Sequence, residues 1–439
     1  MAHNSANHSR HHDTNAIPAS FIRYRALLIL LFPVLLLYTV FQTIKYRDTR
    51  YCLQRFGLRY AISSNINYWI HAASVGEVNA ATPLIQALKK HNPQARILIT
   101  TTTPTGAQVA GKLAGGTRES TGIEHCYLPI DYVFAVKRLL KKASPNCVLV
   151  METEIWPNLF RICSQCEIPL VTVNGRLSPR TLHTANWIKA LYRSTLQYST
   201  LILTRSDKDT KGYIALGADP GKIKTVGNIK FAVDFKMPEN DSPPFNNREY
   251  VLAASTHDDE ELQIALFWKK HLESLKGYLL VIAPRHPNRI AKILGQLDGL
   301  ELNIAIHSRN DAVSDKTNIY LIDTVGELVH FMNHAKLIVM GGSLVDVGGH
   351  NILEPASLSK AIIFGPSMNN FEDEAQLFLG HDGAIQAQNI DQVGEYIINL
   401  LRDNKRLKQL GNNAYNLLAK QKHVAEQYVI EIQSVMGHQ

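Results

Sequence analysis

Cysteine is scarce: five in 439 residues, scattered along the chain. That excludes a small disulfide-stapled fold and suits a reducing compartment. Cys163 and Cys166 do form a C-x-x-C, but a zinc ribbon needs a second such pair, and none exists. A redox pair belongs at a helix start, whereas "PNLFRI" puts this one at a helix end, so the spacing reads as coincidence. Low-complexity tracts are also missing, and 45% apolar content is ample for sizeable cores. The chain carries a net charge of +8. It has no interleaved stripe of basic and aromatic residues, which argues against nucleic acid as a partner.

Long hydrophobic runs are limited to one. "ALLILLFPVLLLYTVFQTI", residues 26–44, has no charge and is just long enough to cross a hydrocarbon core as a helix. Pro33 is placed to kink it. Residues 1–60 hold eight Lys/Arg against two Asp, which is +6 of the total charge. Arg23 and Arg25 precede the run; Lys45, Arg47, Arg50, Arg55 and Arg59 follow it. The positive-inside rule puts the following side, and so the body of the protein, in the cytoplasm. No small-x-small site follows, which disfavours a cleaved signal peptide. A single-pass anchor and a monotopic helix in the interface both remain open. The first twenty residues, with His3, His8, His11 and His12, read as a disordered leader in which no spacing fixes a metal geometry.

Past residue 65 the pattern is strand, loop, helix, repeated. The first series holds "INYWIHAA", "RILITTTT", "CVLVM", "PLVTVN" and "LILTR". Residues 229–250 break the rhythm with prolines, asparagines and charges and read as a linker. A second series follows: "YVLAAS", "YLLVIAP", "NIYLID", "KLIVMGG" and "AIIFG". The expected architecture is α/β, with two Rossmann-like doubly wound domains facing a cleft and an N-terminal membrane-anchor helix. The expected bounds are a leader at 1–20, an anchor at 21–45, a first domain at 46–228 and a second domain at 251–439. Folding of the two domains is not expected to need the residues before 45.

Ligands of open α/β sheets bind beyond the carboxyl ends of the strands, and the polar residues here cluster there. In "GGSLVDVGGHNILEP", Gly341, Gly342, Gly348 and Gly349 let backbone approach a ligand, and the following helix start offers N–H groups to an anion. Glu354 in its first turn suits ribose hydroxyls or the helix dipole. The loop matches neither a dinucleotide fingerprint nor a Walker A. "APRHPNR" puts Arg285, whose planar fork suits phosphate, straight after a strand. In "STHDDEE" the four consecutive acids cannot face one ion, and helix N-terminal acids are the simpler account. "DTVGEL" is cap-like at Glu327, with a glycine that leaves room for a base or ribose. Glu152 and Glu154, placed in a first helical turn, are expected to point different ways. Lys230 is either a hinge lysine or a cation for a leaving phosphate. "HAASVGE" leaves two readings of Glu77 open: a capping box with Ser74, or a catalytic carboxylate.

Taken in order, "HAASVGE", "TTTTPTG", "LPID", "METEIWPN", "NGRLS", "GNIKF", "STHDDEE", "PRHP", "DTVGEL", "GGSLVDVGGHN" and "FGPSMNNFED" resemble the 3-deoxy-D-manno-octulosonic acid (Kdo) transferases of lipopolysaccharide assembly. The likeness runs from the apolar run to about residue 415. It departs at the His-rich leader and at "SDKDTKGYI", a loose match. The resemblance implies a GT-B fold and an inverting, metal-independent transfer without cofactor. It implies CMP-Kdo as donor and, as acceptor, the acylated, phosphorylated glucosamine disaccharide that precedes lipid A (lipid IV-A). It implies an inner-membrane enzyme with its catalytic domains on the cytoplasmic side.

Residue by residue, the resemblance makes Glu77 the proton acceptor, and Glu152 and Lys230 the groups that stabilise the transition state. Pro284 and Arg285, Val325, Gly326 and Glu327, and Asn351, Ile352, Leu353 and Glu354 match the family's CMP contacts. No residue is assigned to a metal. Two readings compete: a GT-B nucleotide-sugar 2-epimerase, and a membrane-tethered binding protein without catalysis. The oligomeric state is left open.

Overall fold

The structure, a computed structural model, describes residues 17–115, 121–177, 181, 183–232, 242–245, 248–421 and 423–437. The leader histidines and the centre of the expected linker lie outside the described residues. The chain divides into two compact units. One comprises the residues up to Ala232 together with those from His423 onward, and the other runs from Val233 to Lys422.

Before its sheet, unit 1 has three helices, α1 (Ala19–Leu30), α2 (Phe32–Tyr46) and α3 (Thr49–Arg55). Its strands are β1 (Tyr68–His71), β2 (Ile97–Thr101), β3 (Ile123–Tyr127), β4 (Cys147–Met151), β5 (Leu170–Gly175), β6 (Leu201–Thr204) and β7 (Ile223–Thr225). They pair in the order β3-β2-β1-β4-β5-β6-β7, parallel throughout. Nearly every residue of β1, β2, β4 and β5 is buried, as unbroken runs such as "CVLVM" require of strands covered on both faces. The strand order reverses between β1 and β4, so their C-terminal loops flank the switch point. Strand β3 lacks that signature in the sequence, because Glu124 and His125 interrupt its apolar run.

Unit 2 is a second seven-stranded sheet, with a different strand order on one side of its switch point. Its strands are β8 (Tyr250–Thr256), β9 (Leu279–Pro284), β10 (Ile304–Ile306), β11 (Ile319–Leu321), β12 (Leu337–Met340), β13 (Ala361–Phe364) and β14 (Ile385–Gln386). They pair in the order β10-β11-β9-β8-β12-β13-β14, again all parallel, with the switch point between β8 and β12.

Two expectations are corrected. The second domain does not run to residue 439. The helix Val424–Met436 returns to unit 1 and buries Val424, Ala425, Tyr428, Val429 and Ile432 in the core beneath β1 and β4. Aliphatic side chains so buried contribute about 1.5–3 kcal/mol each, which explains why the chain end crosses back. The preceding helix, Asn404–Ala419, belongs to unit 2.

The 21–45 segment is not one anchor helix either. No single helix among the described residues is long and apolar enough to cross a membrane; α1 and α2 pass that test only as a pair, bent by 56°. Pro33 explains the break, since it has no N–H to reach back to Ile29 and its ring crowds that carbonyl. Moreover, α1 belongs to the folded unit. Phe21 is fully buried, edge-on to Tyr198 at 5.9 Å. Tyr24 donates to Asp131 at 3.0 Å, and Arg25 to Asn158 at 2.8 Å. What stays exposed is an apolar strip that includes Ile29, Leu30, Val34, Leu37, Phe41 and Ile44.

Candidate active site

In unit 1 the predicted groups converge at the C-terminal edge of the sheet. Helix α4 (Val75–His91) starts directly after β1, with Ser74 as its N-cap; the Ser74 Oγ accepts from the Glu77 N–H at 3.5 Å. The reciprocal half of the capping box is displaced by one residue. Glu77 Oε2 accepts the Ala73 N–H at 2.7 Å, and Oε1 accepts from Ser74 Oγ–H at 3.3 Å. Thr102 and Thr103, from "TTTTPTG", hold the same turn by donating to the Ala73 carbonyl at 3.0 and 3.3 Å. The turn is thus fixed from two strands before any ligand arrives.

Glu77 is also electrostatically unusual. Burial first, then repulsion from Glu154 and Glu152, raises its carboxyl to about 8, against the opposing effect of the Ala73 N–H. A carboxylate that only capped a helix would sit beside the positive end of the dipole and be held ionised. Here desolvation and like charge win, so capping and unusual basicity coexist in one residue.

Glu152 and Glu154 follow β4 in a turn, not in a first helical turn; the helix begins at Pro157. Glu152 adopts φ 52°, a left-handed conformation disfavoured for a side chain of its kind. Its carboxylate lies 3.4 Å from Lys230 Nζ and 3.7 Å from Arg176 Nε. Tyr213 supports the strained turn by donating to the Glu152 carbonyl at 3.1 Å. Glu154 accepts from Trp156 Nε1–H at 2.8 Å and lies 3.6 Å from the buried His71. Burial alone would raise Glu154, but His71 and Trp156 outweigh it and hold this carboxyl below the usual range.

The structure thus brings Glu77, Glu152 and Lys230 into one neighbourhood, and adds Arg176, His71 and Glu154, which the sequence did not single out as part of it. "NGRLS" follows a strand end, which was the available signal for Arg176. The Lys230 turn is pinned by Asn174, which accepts from Ile229 N–H at 3.1 Å, and by Tyr428 of the C-terminal helix, which donates to the Gly227 carbonyl at 2.9 Å.

In unit 2 the loops after β8, β9 and β12 come together. Arg285 follows β9 and its N–H donates to Thr256 O at 2.9 Å. Its guanidinium has no ion-pair partner among the described residues, yet its charge acts on Glu354, His257 and His350. Glu354 stands in the first turn of the helix Leu353–Ser357, held by Asn351 Nδ2 at 3.2 Å, and burial raises its carboxyl. Pro284, Arg285, Asn351 and Glu354 thus form one neighbourhood, with Ile352 and Leu353 buried beneath it.

Val325, Gly326 and Glu327 are held separately. Val325 is 86% exposed, Gly326 has φ 104°, and Glu327 accepts from His307 Nε2–H at 2.9 Å and from the Thr324 hydroxyl. Glu327 sits at the N-cap position of the helix Leu328–His334 but makes no cap bond, so its cap-like spacing is not used as a cap.

The glycine loop is corrected in its role. A Cβ at Gly341 would stand 2.5 Å from the Ser255 carbonyl, and one at Gly348 2.6 Å from Asn370 Nδ2. These glycines admit the protein's own neighbouring loops. The N–H groups of Gly342, Ser343 and Leu344 are already taken by the buried carboxylate of Glu260, at 2.7, 3.1 and 2.9 Å. Two of the four acids in "STHDDEE" are likewise structural: Glu260 fills this nest, and Glu261 pairs with Arg289 at 2.9 Å.

Two doubly wound parallel sheets, each with its polar loops at the switch point, define a GT-B-like fold. The family model of the 3-deoxy-D-manno-octulosonic-acid transferase (kdotransferase) matches residues 50–233. The 3-deoxy-D-manno-octulosonic acid transferase of Haemophilus influenzae is 32% identical over 408 residues, 90% of this chain and 94% of that one. The chain therefore belongs to the Kdo transferase family. Among solved structures, the C-terminal CMP-Kdo binding domain of WaaA from Acinetobacter baumannii is 32% identical, covering 39% of this chain and 90% of that one, with a TM-score of 0.38. The UDP-GlcNAc 2-epimerase from Neisseria meningitidis, 14% identical, covers 84% of this chain and 99% of its own with a TM-score of 0.54, a likeness of fold alone.

Proposed function

We propose that the protein transfers Kdo from CMP-Kdo to the lipid A precursor, with inversion and without a metal or cofactor, at the cytoplasmic face of the inner membrane. The observation that carries this reading is the raised, pre-fixed carboxylate of Glu77 at the switch point of unit 1. An acceptor hydroxyl must lose its proton as it attacks, and a base whose affinity for protons lies near the working pH is the most effective. Glu77 takes that proton as the oxygen bonds to the anomeric carbon of Kdo, and the bond from that carbon to the CMP phosphate breaks. The charge that grows on the departing phosphate is offset by Lys230, oriented by Glu152, and by Arg285.

In this reading unit 1 receives the acceptor. Unit 2 receives the CMP moiety through Pro284, Arg285, the 325–327 turn and residues 351–354. The bent α1–α2 pair suits a monotopic contact: its exposed apolar strip enters the interface, and the exposed Lys45, Arg47 and Arg59 meet anionic headgroups. Arg50 instead pairs with Asp48, and Arg55 donates to the Leu128 carbonyl. The test is CMP formation from CMP-Kdo, measured with and without an acylated glucosamine disaccharide. Release only with acceptor is expected. Equal release without it, or a 2-epimerised sugar, overturns the reading.

A further inference from the structure

Three histidines that the CMP assignment does not use meet at the switch point of unit 2. His257 follows β8, His286 follows β9, and His350 lies in the loop after β12. His257 Nε2 and His350 Nε2 are 2.8 Å apart, with near-parallel rings at 5.0 Å; His286 stands edge-on to His257 at 5.9 Å. A nitrogen-to-nitrogen hydrogen bond of this kind holds one proton: one ring donates and the other accepts. Two protonated rings could not keep that contact.

We propose that the His257–His350 pair is a proton-coupled clamp for the donor's phosphate: on binding, the pair takes up a second proton and both Nε2–H groups turn to the phosphate oxygens. The proton comes from solvent. This rests on the reading of unit 2 as the CMP site.

The surroundings keep both rings neutral, so the Nε2–Nε2 contact holds one proton and the accepting ring carries its own on Nδ1. Burial, then His257, Arg285 and His286, hold His350 down at about 4. Burial, His286, Arg289 and Arg285 lower His257, with Glu261 opposing them. Glu260 does not relieve this, because its carboxylate is spent on the His257, Gly342, Ser343 and Leu344 N–H groups. Arg289 is likewise committed, to Glu261 and Asp258. Arg285 has no such partner among the described residues. Arg285 acts on both rings and on the buried Glu354, and a phosphate beside the pair offsets the cost of the second proton.

The test is calorimetric titration of CMP into the full-length protein at pH 7.5, above the second phosphate ionisation near about 6. It uses two buffers of different ionisation enthalpy, with cytidine as the control lacking the anion. Expected are a buffer-dependent heat that reports proton uptake with CMP and none with cytidine. At full uptake the CMP dissociation constant rises by about tenfold per pH unit. His257→Gln and His350→Gln abolish the uptake and flatten that dependence. Tight CMP binding by the parent protein with no proton uptake overturns the clamp and leaves the donor reading standing. Failure of the parent to bind CMP overturns the donor reading and the clamp with it.

Discussion

Glu77→Gln separates the two roles that one residue combines. Gln retains an oxygen to accept the Ala73 N–H, now held at 2.7 Å, so the helix start should survive. It cannot take a proton, and transfer should fall by roughly 100-fold or more, the scale of general-base loss. Stability should respond in the opposite sense. The Glu77 carboxyl is raised from 4.5 to about 8 on folding. Its contribution is fully present below the unfolded value and is lost as pH rises through the folded value. A tenfold change in proton affinity corresponds to about 1.4 kcal/mol, so ionising this group in the folded protein costs on the order of a few kcal/mol at high pH.

The variant, which never ionises there, should match the parent below pH 5. Above pH 8 it should melt higher, by about 2–4 °C per kcal/mol for a unit of this size. In steady state the parent's rate should climb with pH and level off above about 8, while the residual rate of the variant stays flat. Thermal melts and initial rates across pH 5–9 give both curves. Parent-like turnover with a parent-like pH profile would return Glu77 to a purely structural role.

Arg285→Ala should weaken CMP binding by about 1.5–3 kcal/mol, and Arg285→Lys should recover only part because the planar fork is lost; calorimetry reads both. Saturating EDTA should leave the transfer rate unchanged if the proposed metal-independent transfer is right; loss restored by one divalent ion would contradict this. Deleting residues 1–46 should lower the melting temperature, because it removes the buried Phe21, roughly 1.5–3 kcal/mol of burial, and the Tyr24 bond to Asp131. Unchanged stability in that truncation would make α1 a detachable anchor after all.

The two sheets were legible because buried parallel strands leave unbroken apolar runs. "CVLVM" and "KLIVMGG" show their role without neighbours, whereas "IEHCY" hides it behind Glu124 and His125. The places of the candidate residues were legible for the same reason: Glu77, Glu152, Arg285 and Glu354 each follow a strand or open a helix. What escaped depends on contacts distant in sequence. Nothing near residue 428 says that a tyrosine will brace the Lys230 turn, nor near residue 260 that a glutamate will fill a glycine nest. The apolar run at 26–44 misled because composition reports length and hydropathy. It does not report that Phe21, Tyr24 and Arg25 just before it would dock onto the helices and loops of unit 1 through Tyr198, Asp131 and Asn158.

Mass spectrometry of the lipid after incubation with CMP-Kdo and the acylated glucosamine disaccharide tests the central claim most directly. Run beside Glu77→Gln, the parent protein should convert the acceptor to a Kdo-bearing product with one CMP formed per sugar added. The variant should leave the acceptor almost untouched. An acceptor of unchanged mass with the active parent, or equal product from the variant, would contradict the account.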